Sequence, residues 1–219
     1  MKIHDRYIDI IKNIHQTISE SSFERKIELI AVSKKQPQEK IDQLLNIGHR
    51  CFGENQVQEA TEKWSNIKIK IPDVKLHMIG PLQSNKVSQA VNLFDYIQTL
   101  DRIKLASKIS NECKKQNKEV KCFIQVNTGH ERQKSGIKPT EVKEFYNLCI
   151  SDYKLNIIGL MCLPPKNEPP KKHFYLLKSL ASMNNIKLLS MGMTADYIEG
   201  IKQGATHIRV GEGIFGKRY

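Results

Sequence analysis

Short apolar runs rich in β-branched residues alternate along the chain with longer segments whose apolar positions recur at helical spacing. The runs are IELIAVS (27–33), CFG (51–53), LHMIG (76–80), YIQTL (96–100), KCFIQVN (121–127), IIGLMCL (157–163), LLSMGM (188–193) and HIRVG (207–211). Runs of this length and composition predict buried strands. Between them the pattern predicts helices over 37–48, 55–65, 84–93, 102–117, 139–151, 170–183 and 195–203. Pro37 suits a first helical turn, Asp101 an N-cap before RIKLASKIS, and PTEVKEF (139–145) a helix start. Strand and helix in alternation call for a parallel sheet with helices outside it. Eight such units predict an α/β fold, a single (β/α)8 TIM barrel with an additional N-terminal helix, filling 1–219 as one domain. Ile8, Ile11, Ile14 and Ile18 give that N-terminal helix an apolar stripe to cover the gap after the eighth strand. A doubly wound open sheet is the alternative arrangement.

Charge and cysteine content narrow the setting. Lys and Arg number 35 against 23 Asp and Glu, a formal +12, which attracts anions such as nucleic acid, acidic lipid or a phosphorylated small molecule. The basic residues are dispersed, as on an ordinary solvated surface. Five scattered cysteines with no C-x-x-C pair suggest neither a disulfide framework nor a zinc ribbon, and fit a reducing cytoplasm. The N-terminus carries charges throughout, and no apolar run reaches the ~18 residues of a membrane span. The seven histidines lack ligand spacing, so no metal site is expected.

Chemistry enters at the strand ends. Period-two alternation puts Glu28, Ile30, Val32 and Lys34 on one strand face and Ile27, Leu29, Ala31 and Ser33 on the other. In a barrel the C-terminal ends of strands form the rim where ligands bind. An amine buried at such a rim loses its preference for the charged form and can attack an aldehyde, making Lys34 a Schiff-base candidate. The plainer reading is a lysine that caps the strand end and snorkels to water.

A second feature lies in LLSMGMTADYIEGIKQGATHIRVGEGIFG (188–216). Strand seven ends in Gly192-Met193-Thr194, a helix opens near Ala195-Asp196, and strand eight ends in Arg209-Val210-Gly211. Backbone N–H groups, a hydroxyl and a glycine at these positions suit a phosphate, which barrels commonly hold after strands seven and eight. Ordinary turn and cap chemistry accounts for the same residues. GEGIFGK (211–217) has P-loop spacing but not its context, since Arg218 stands where Ser or Thr would hold magnesium. Glu54, Asn55, His77, Gln83 and Asn127 are further polar groups at strand ends, each also readable as a cap or hydrogen-bonding partner.

Seven motifs in order, AVSK (31–34), FGENQVQE (52–59), HMIGPLQSNK (77–86), KSGI (134–137), GLM (159–161), SMGM (190–193) and IRVGEGIFG (208–216), resemble those of the pyridoxal phosphate homeostasis proteins over essentially the whole chain. The resemblance implies a barrel like the N-terminal domain of alanine racemase that binds pyridoxal 5′-phosphate, with Lys34 carrying it as a Schiff base. It also implies cofactor-binding roles for Asn55 beside the cofactor, Met193 and Thr194 at the phosphate, Arg209 facing the pyridine nitrogen, and Gly211 in the phosphate loop. Glu212 stands where the family commonly has Ser or Thr, and its carboxylate would repel phosphate, so it serves through its backbone N–H with the side chain turned away. Lys134 also matches a family lysine.

The function implied is cofactor homeostasis without an established reaction: a cytoplasmic monomer that buffers pyridoxal phosphate and passes it to apo-enzymes requiring it, with no nucleic-acid or membrane partner. A permanently charged arginine at the pyridine nitrogen disfavours its protonation and weakens the ring as an electron sink. The alternatives are a racemase-like enzyme using Lys34 and Tyr197 as bases, and a basic nucleic-acid-binding protein. Racemases of this fold add a second domain, for which the eight residues after strand eight are expected to leave no room.

Overall fold

The computed structural model describes residues 2–21, 26–129 and 135–217. Eight strands, β1 (Glu28–Val32), β2 (Cys51–Glu54), β3 (Lys75–Met78), β4 (Tyr96–Leu100), β5 (Lys121–Val126), β6 (Asn156–Cys162), β7 (Leu188–Met193) and β8 (His207–Val210), pair in chain order. All pairings are parallel, and β8 closes onto β1 with Glu28 opposite His207 and Ala31 opposite Val210. The helices are α1 (Ile3–Ser19), α2 (Gln38–Asn46), α3 (Val57–Lys70), α4 (Val87–Leu93), α5 (Ile103–Gln116), α6 (Val142–Ser151), α7 (Pro170–Met183), α8 (Tyr197–Lys202) and α9 (Glu212–Phe215). The expected closed barrel with an N-terminal helix is therefore the observed one, and the open sheet is not.

The strand ends agree with the apolar runs to within two residues, while three local readings change. Helix α3 continues past residue 65 to Lys70, because Trp64 is fully buried and Ile67 packs against the core. It stops where Pro72 disfavours helical backbone at Ile71. Asp101 does not cap α5. The N-cap is Arg102, and the Asp101 carboxylate pairs with Arg102 Nη1 at 2.5 Å. Pro37 occupies the N-cap of α2 rather than its first turn.

Helix α1 packs against α2, α8 and α9, covering the seam between β8 and β1. Its buried face is Ile3, Ile10, Ile14 and Thr17, so Ile8, Ile11 and Ile18 flank the contact instead of centring it.

Two apolar regions stabilise the barrel. Outward-facing strand residues such as Leu29, Ala31, Phe52, Leu76, Ile124, Leu160 and Ile208 pack under the helices. Inside the barrel Ile30, Val32, Phe123 and Met161 share space with polar groups: His77, Gln98, Ser190, His207 and Arg209, all buried. Barrel interiors are usually filled by branched aliphatic residues, so this polar content demands a reason.

Phe123 fits only because Gly159 lies beside it. A Cβ at 159 would come within 2.4 Å of the Phe123 ring and 2.6 Å of the Leu188 carbonyl oxygen. Gly159→Ala is expected to cost about 1–3 kcal/mol through overpacking, lowering the thermal midpoint by several degrees. Calorimetry checks this, and an unchanged midpoint would contradict the packing described.

Candidate functional site

Strand β1 ends at Val32, and Lys34 follows in a tight turn rather than extending the strand face. Ser33 N–H still donates to Gly53 O on β2 (3.1 Å), and Gln36 N–H closes the turn on Ser33 O (3.1 Å). Lys34 is half-buried and Lys35 exposed, and turn geometry rather than strand alternation sets the two apart. Lys35 has a left-handed backbone, φ 56°, which is costly for a residue with a Cβ. Its N–H donates to the Glu59 carboxylate, which holds that conformation.

A buried cluster fixes this turn from below. The last residue of β2, Glu54, is fully buried, and its Oε1 accepts from Ser33 Oγ (2.7 Å) and from Trp64 Nε1 (3.1 Å). Lys63 Nζ donates to Ser33 O (2.9 Å) and Glu59 Oε1 (2.6 Å) and lies 3.6 Å from Glu54. Burial pushes the Glu54 carboxyl above its ordinary value, against the opposing pull of Ser33, Lys63 and Trp64. Helix α3 thus supplies Glu59, Lys63 and Trp64 at positions that face the β1 turn, making Lys34 the product of a braced loop.

Across the β1/β8 seam lies the second part of the site. β7 and β8 change register between Ser190 and Met193, with Gly192 at φ 92° inside the irregularity, a conformation that favours glycine. The shift sets Arg209 opposite Met193, at the rim. Thr194 Oγ1 accepts from Gly213 N–H (3.2 Å), tying the loop after β7 to the start of α9 and leaving the hydroxyl hydrogen to donate elsewhere. Met193 N–H donates to Asp196 Oδ1 (2.6 Å). Among the described residues the N–H groups of Thr194, Gly211 and Glu212 have no acceptor, while Glu212 itself is exposed. Open N–H groups of this kind form an anion-binding concavity.

Arg209 is 4% exposed. Its Nη1 donates to Ser190 Oγ (2.6 Å) and its Nη2 to Cys162 O (2.8 Å). No carboxylate lies within ion-pair distance of it among the described residues. Burial lowers its pKa to about 10, so the guanidinium stays charged at neutral pH and gives the rim a positive interior.

Lys34, Asn55, Met193, Thr194, Arg209, Gly211 and Glu212 therefore belong to four contiguous strands, β7, β8, β1 and β2, and their following loops. Asn55 is half-buried and borders a groove of ≈ 470 Å³ with Gln83 and Lys86. Gln83 is exposed, and His77 lies inside the barrel below the rim. Asn127 follows β5 on the far side, where its N–H donates to Ile137 O (2.9 Å). Tyr197 turns its hydroxyl to Asn13 Nδ2 on α1 (3.1 Å), outside the barrel. Lys134 and Arg218 lie outside the described residues. Among the described residues no group of histidine, cysteine or carboxylate side chains is arranged to hold a metal. Sequence reading missed the Glu54 cluster and the partners of Arg209. The one available signal was a carboxylate ending a strand ten residues before the lone tryptophan.

Residues 9–219 match the family described as alanine racemase, N-terminal domain. The chain is 35% identical to the pyridoxal phosphate homeostasis protein of Pasteurella multocida, across 100% of this chain and 98% of that protein. It is 36% identical over 200 residues to the protein of the same name from Aquifex aeolicus, 87% of each. PipY of Synechococcus elongatus, solved with PLP bound, superposes with a TM-score of 0.79 at 30% identity, over 93% of this chain and 100% of that one. Alanine racemase of Clostridium difficile shares the fold alone, with a TM-score of 0.74 at 13% identity, over 98% of this chain and 57% of the racemase.

Proposed function

The chain belongs to the alanine racemase N-terminal domain family, among the pyridoxal phosphate homeostasis proteins, and from that premise we propose that it binds pyridoxal 5′-phosphate reversibly on Lys34 to keep the cofactor available and its free concentration low. The observation that carries this reading is the convergence, on adjacent strand ends, of a braced half-buried lysine, a set of backbone N–H groups and a buried guanidinium, the N–H groups without an acceptor and the guanidinium without a carboxylate partner among the described residues.

These residues fit the group. Thr194, Gly211 and Glu212 would hold the phosphate through backbone N–H groups and the Thr194 hydroxyl, with Met193 and Asn55 bordering the site and the exposed Glu212 carboxylate turned to solvent. Arg209 would face the pyridine nitrogen, where a permanent cation disfavours protonation. The bound aldehyde would supply one reaction, condensation with a primary amine to a Schiff base with loss of water. Lys34 is held to offer that amine, and another amine can displace it, which suits delivery to apo-enzymes.

The same geometry supports binding without turnover. Racemisation needs a base on each face of the substrate, and Tyr197 is committed to Asn13 outside the barrel. The strand ends that carry the seven site residues are neighbours in one closed barrel, which supports a site built within a single domain. Cysteines without disulfides fit a cytoplasmic setting, and no helix of the described residues is long and apolar enough to cross a membrane. Dispersed basic residues engaged in local pairs, such as Lys68 with Asp95 and Lys172 with Glu168, support a solvated surface over a nucleic-acid site.

The test uses the loaded protein with alanine or serine in deuterium oxide. No exchange at Cα is expected, while an added apo-enzyme should gain activity as the protein loses its visible absorption band. Deuterium at Cα at a rate above that of free pyridoxal phosphate would contradict the non-enzymatic reading.

A further inference from the structure

We infer that Ser190, Gln98 and His77 form a one-way chain of hydrogen bonds that orients the Arg209 guanidinium, making them positioning residues for the pyridine ring of the cofactor proposed above. The inference rests on that cofactor reading.

The proton order in this chain is fixed by chemistry. Arginine has donors only, so Arg209 Nη1 gives its hydrogen to Ser190 Oγ at 2.6 Å. Serine has a single hydroxyl hydrogen, and with its oxygen already accepting, that hydrogen goes to Gln98 Oε1 at 2.6 Å. The Gln98 amide is thereby set with its nitrogen toward His77 Nδ1, 2.9 Å away. That amide can only donate, so Nδ1 must be bare and the imidazole hydrogen must sit on Nε2. Nε2 in turn lies 3.3 Å from Cys51 Sγ, whose thiol faces the Glu28 carboxylate. Every link is buried: Arg209 4%, Ser190, Gln98 and His77 0%, Cys51 4%. One arrangement of protons satisfies all of them.

This arrangement accounts for four of the five polar groups inside the barrel, all but His207. A guanidinium held by two neutral acceptors, Ser190 Oγ and Cys162 O, keeps its full charge, and its remaining N–H groups are left for a ligand. Charging His77 would set an N–H against the Gln98 amide and force the chain to reverse. Its surroundings oppose that charge as well, His207 standing 6.1 Å away between ring centroids. Lys75 and Lys68 add positive charge, and burial itself drives the imidazole well below its ordinary value. The chain therefore spans four strands, β2, β3, β4 and β7, to control one atom group on β8.

Two variants separate positioning from mere filling. Ser190→Ala removes the acceptor for Arg209 and the donor for Gln98. Gln98→Glu keeps the acceptor for Ser190 but offers His77 an acceptor in place of a donor, so the imidazole must take a proton on Nδ1. The measurements are nitrogen-15 NMR of the imidazole in the cofactor-free protein, and absorption, fluorescence and cofactor dissociation in the loaded one.

In the wild type His77 is expected to be neutral with its hydrogen on Nε2 at pH 7, and in Gln98→Glu to carry a hydrogen on Nδ1. Ser190→Ala is expected to keep a visible band, since Lys34 is intact, but with a shifted pH midpoint. Its dissociation constant should rise about tenfold, the scale of one buried hydrogen bond. Ser190→Thr should restore both. A wild-type His77 with its hydrogen on Nδ1 overturns the chain, and this readout needs neither variant nor cofactor. A wild type that binds, beside a folded Ser190→Ala with the same midpoint and dissociation constant, overturns the positioning role alone. A wild type that takes up no pyridoxal phosphate overturns the cofactor reading and the positioning role with it.

Discussion

Replacing Lys34 by alanine is expected to remove the visible absorption band of the protein incubated with pyridoxal phosphate, completely and without loss of the fold. The amine is the only part of the residue the account requires. Lys34 sits in the turn after β1, where the turn hydrogen bonds come from the backbone of Ser33 and Gln36, and no strand pairing includes it. Substitutions outside the core usually change stability by less than ~1 kcal/mol, so the thermal midpoint should move by at most about 4 °C. The phosphate loop and Arg209 remain, and weak non-covalent binding should persist. An alanine variant that keeps the band would place the attachment on another lysine.

Glu54 is expected to give the second large effect, on stability and on the site together. Glu54→Ala would leave Ser33 Oγ and Trp64 Nε1 buried without their shared acceptor, at a cost of roughly 3 kcal/mol, and the turn carrying Lys34 would lose its brace. Glu54→Gln keeps a carbonyl oxygen for both donors and should cost less than ~1 kcal/mol at pH 7.

The pH dependence has a definite sign. The folded carboxyl titrates above the ordinary value of 4.5, so between that value and the raised one the folded state binds more protons than the unfolded. Wild-type stability contributed by this group is therefore full below about 4.5 and is lost as pH rises through the folded pKa. Glu54→Gln lacks the titration and should gain on the wild type across that window. Denaturant unfolding at a series of pH values measures it, and a difference curve falling with pH would contradict the assignment of burial as the dominant influence on Glu54.

The parts of this protein that local pattern determines were legible before the fold. Eight apolar runs marked eight strands because strand burial imposes a composition on consecutive residues. Thr194, Arg209 and Gly211 could be grouped because adjacent strand ends in a barrel are neighbours by topology. What escaped depends on contacts between distant positions. Gln98 meets His77 across 21 residues and Ser190 across 92, pairings created by barrel closure. The face of α1 was misjudged for the same reason: α8 and α9 decide that Ile3 and Ile10 are inside, and helical spacing alone offers Ile8 and Ile18 equally. Asp101 looked like an N-cap because a carboxylate before a helix usually is one, yet an adjacent arginine competes for it.

Borohydride reduction of the wild-type protein loaded with pyridoxal phosphate, followed by peptide mapping, tests the central claim most directly. The account predicts one reduced pyridoxyl group per chain, on Lys34. Label distributed over surface lysines, or concentrated on Lys35 or another residue while Lys34 stays unmodified, would contradict it.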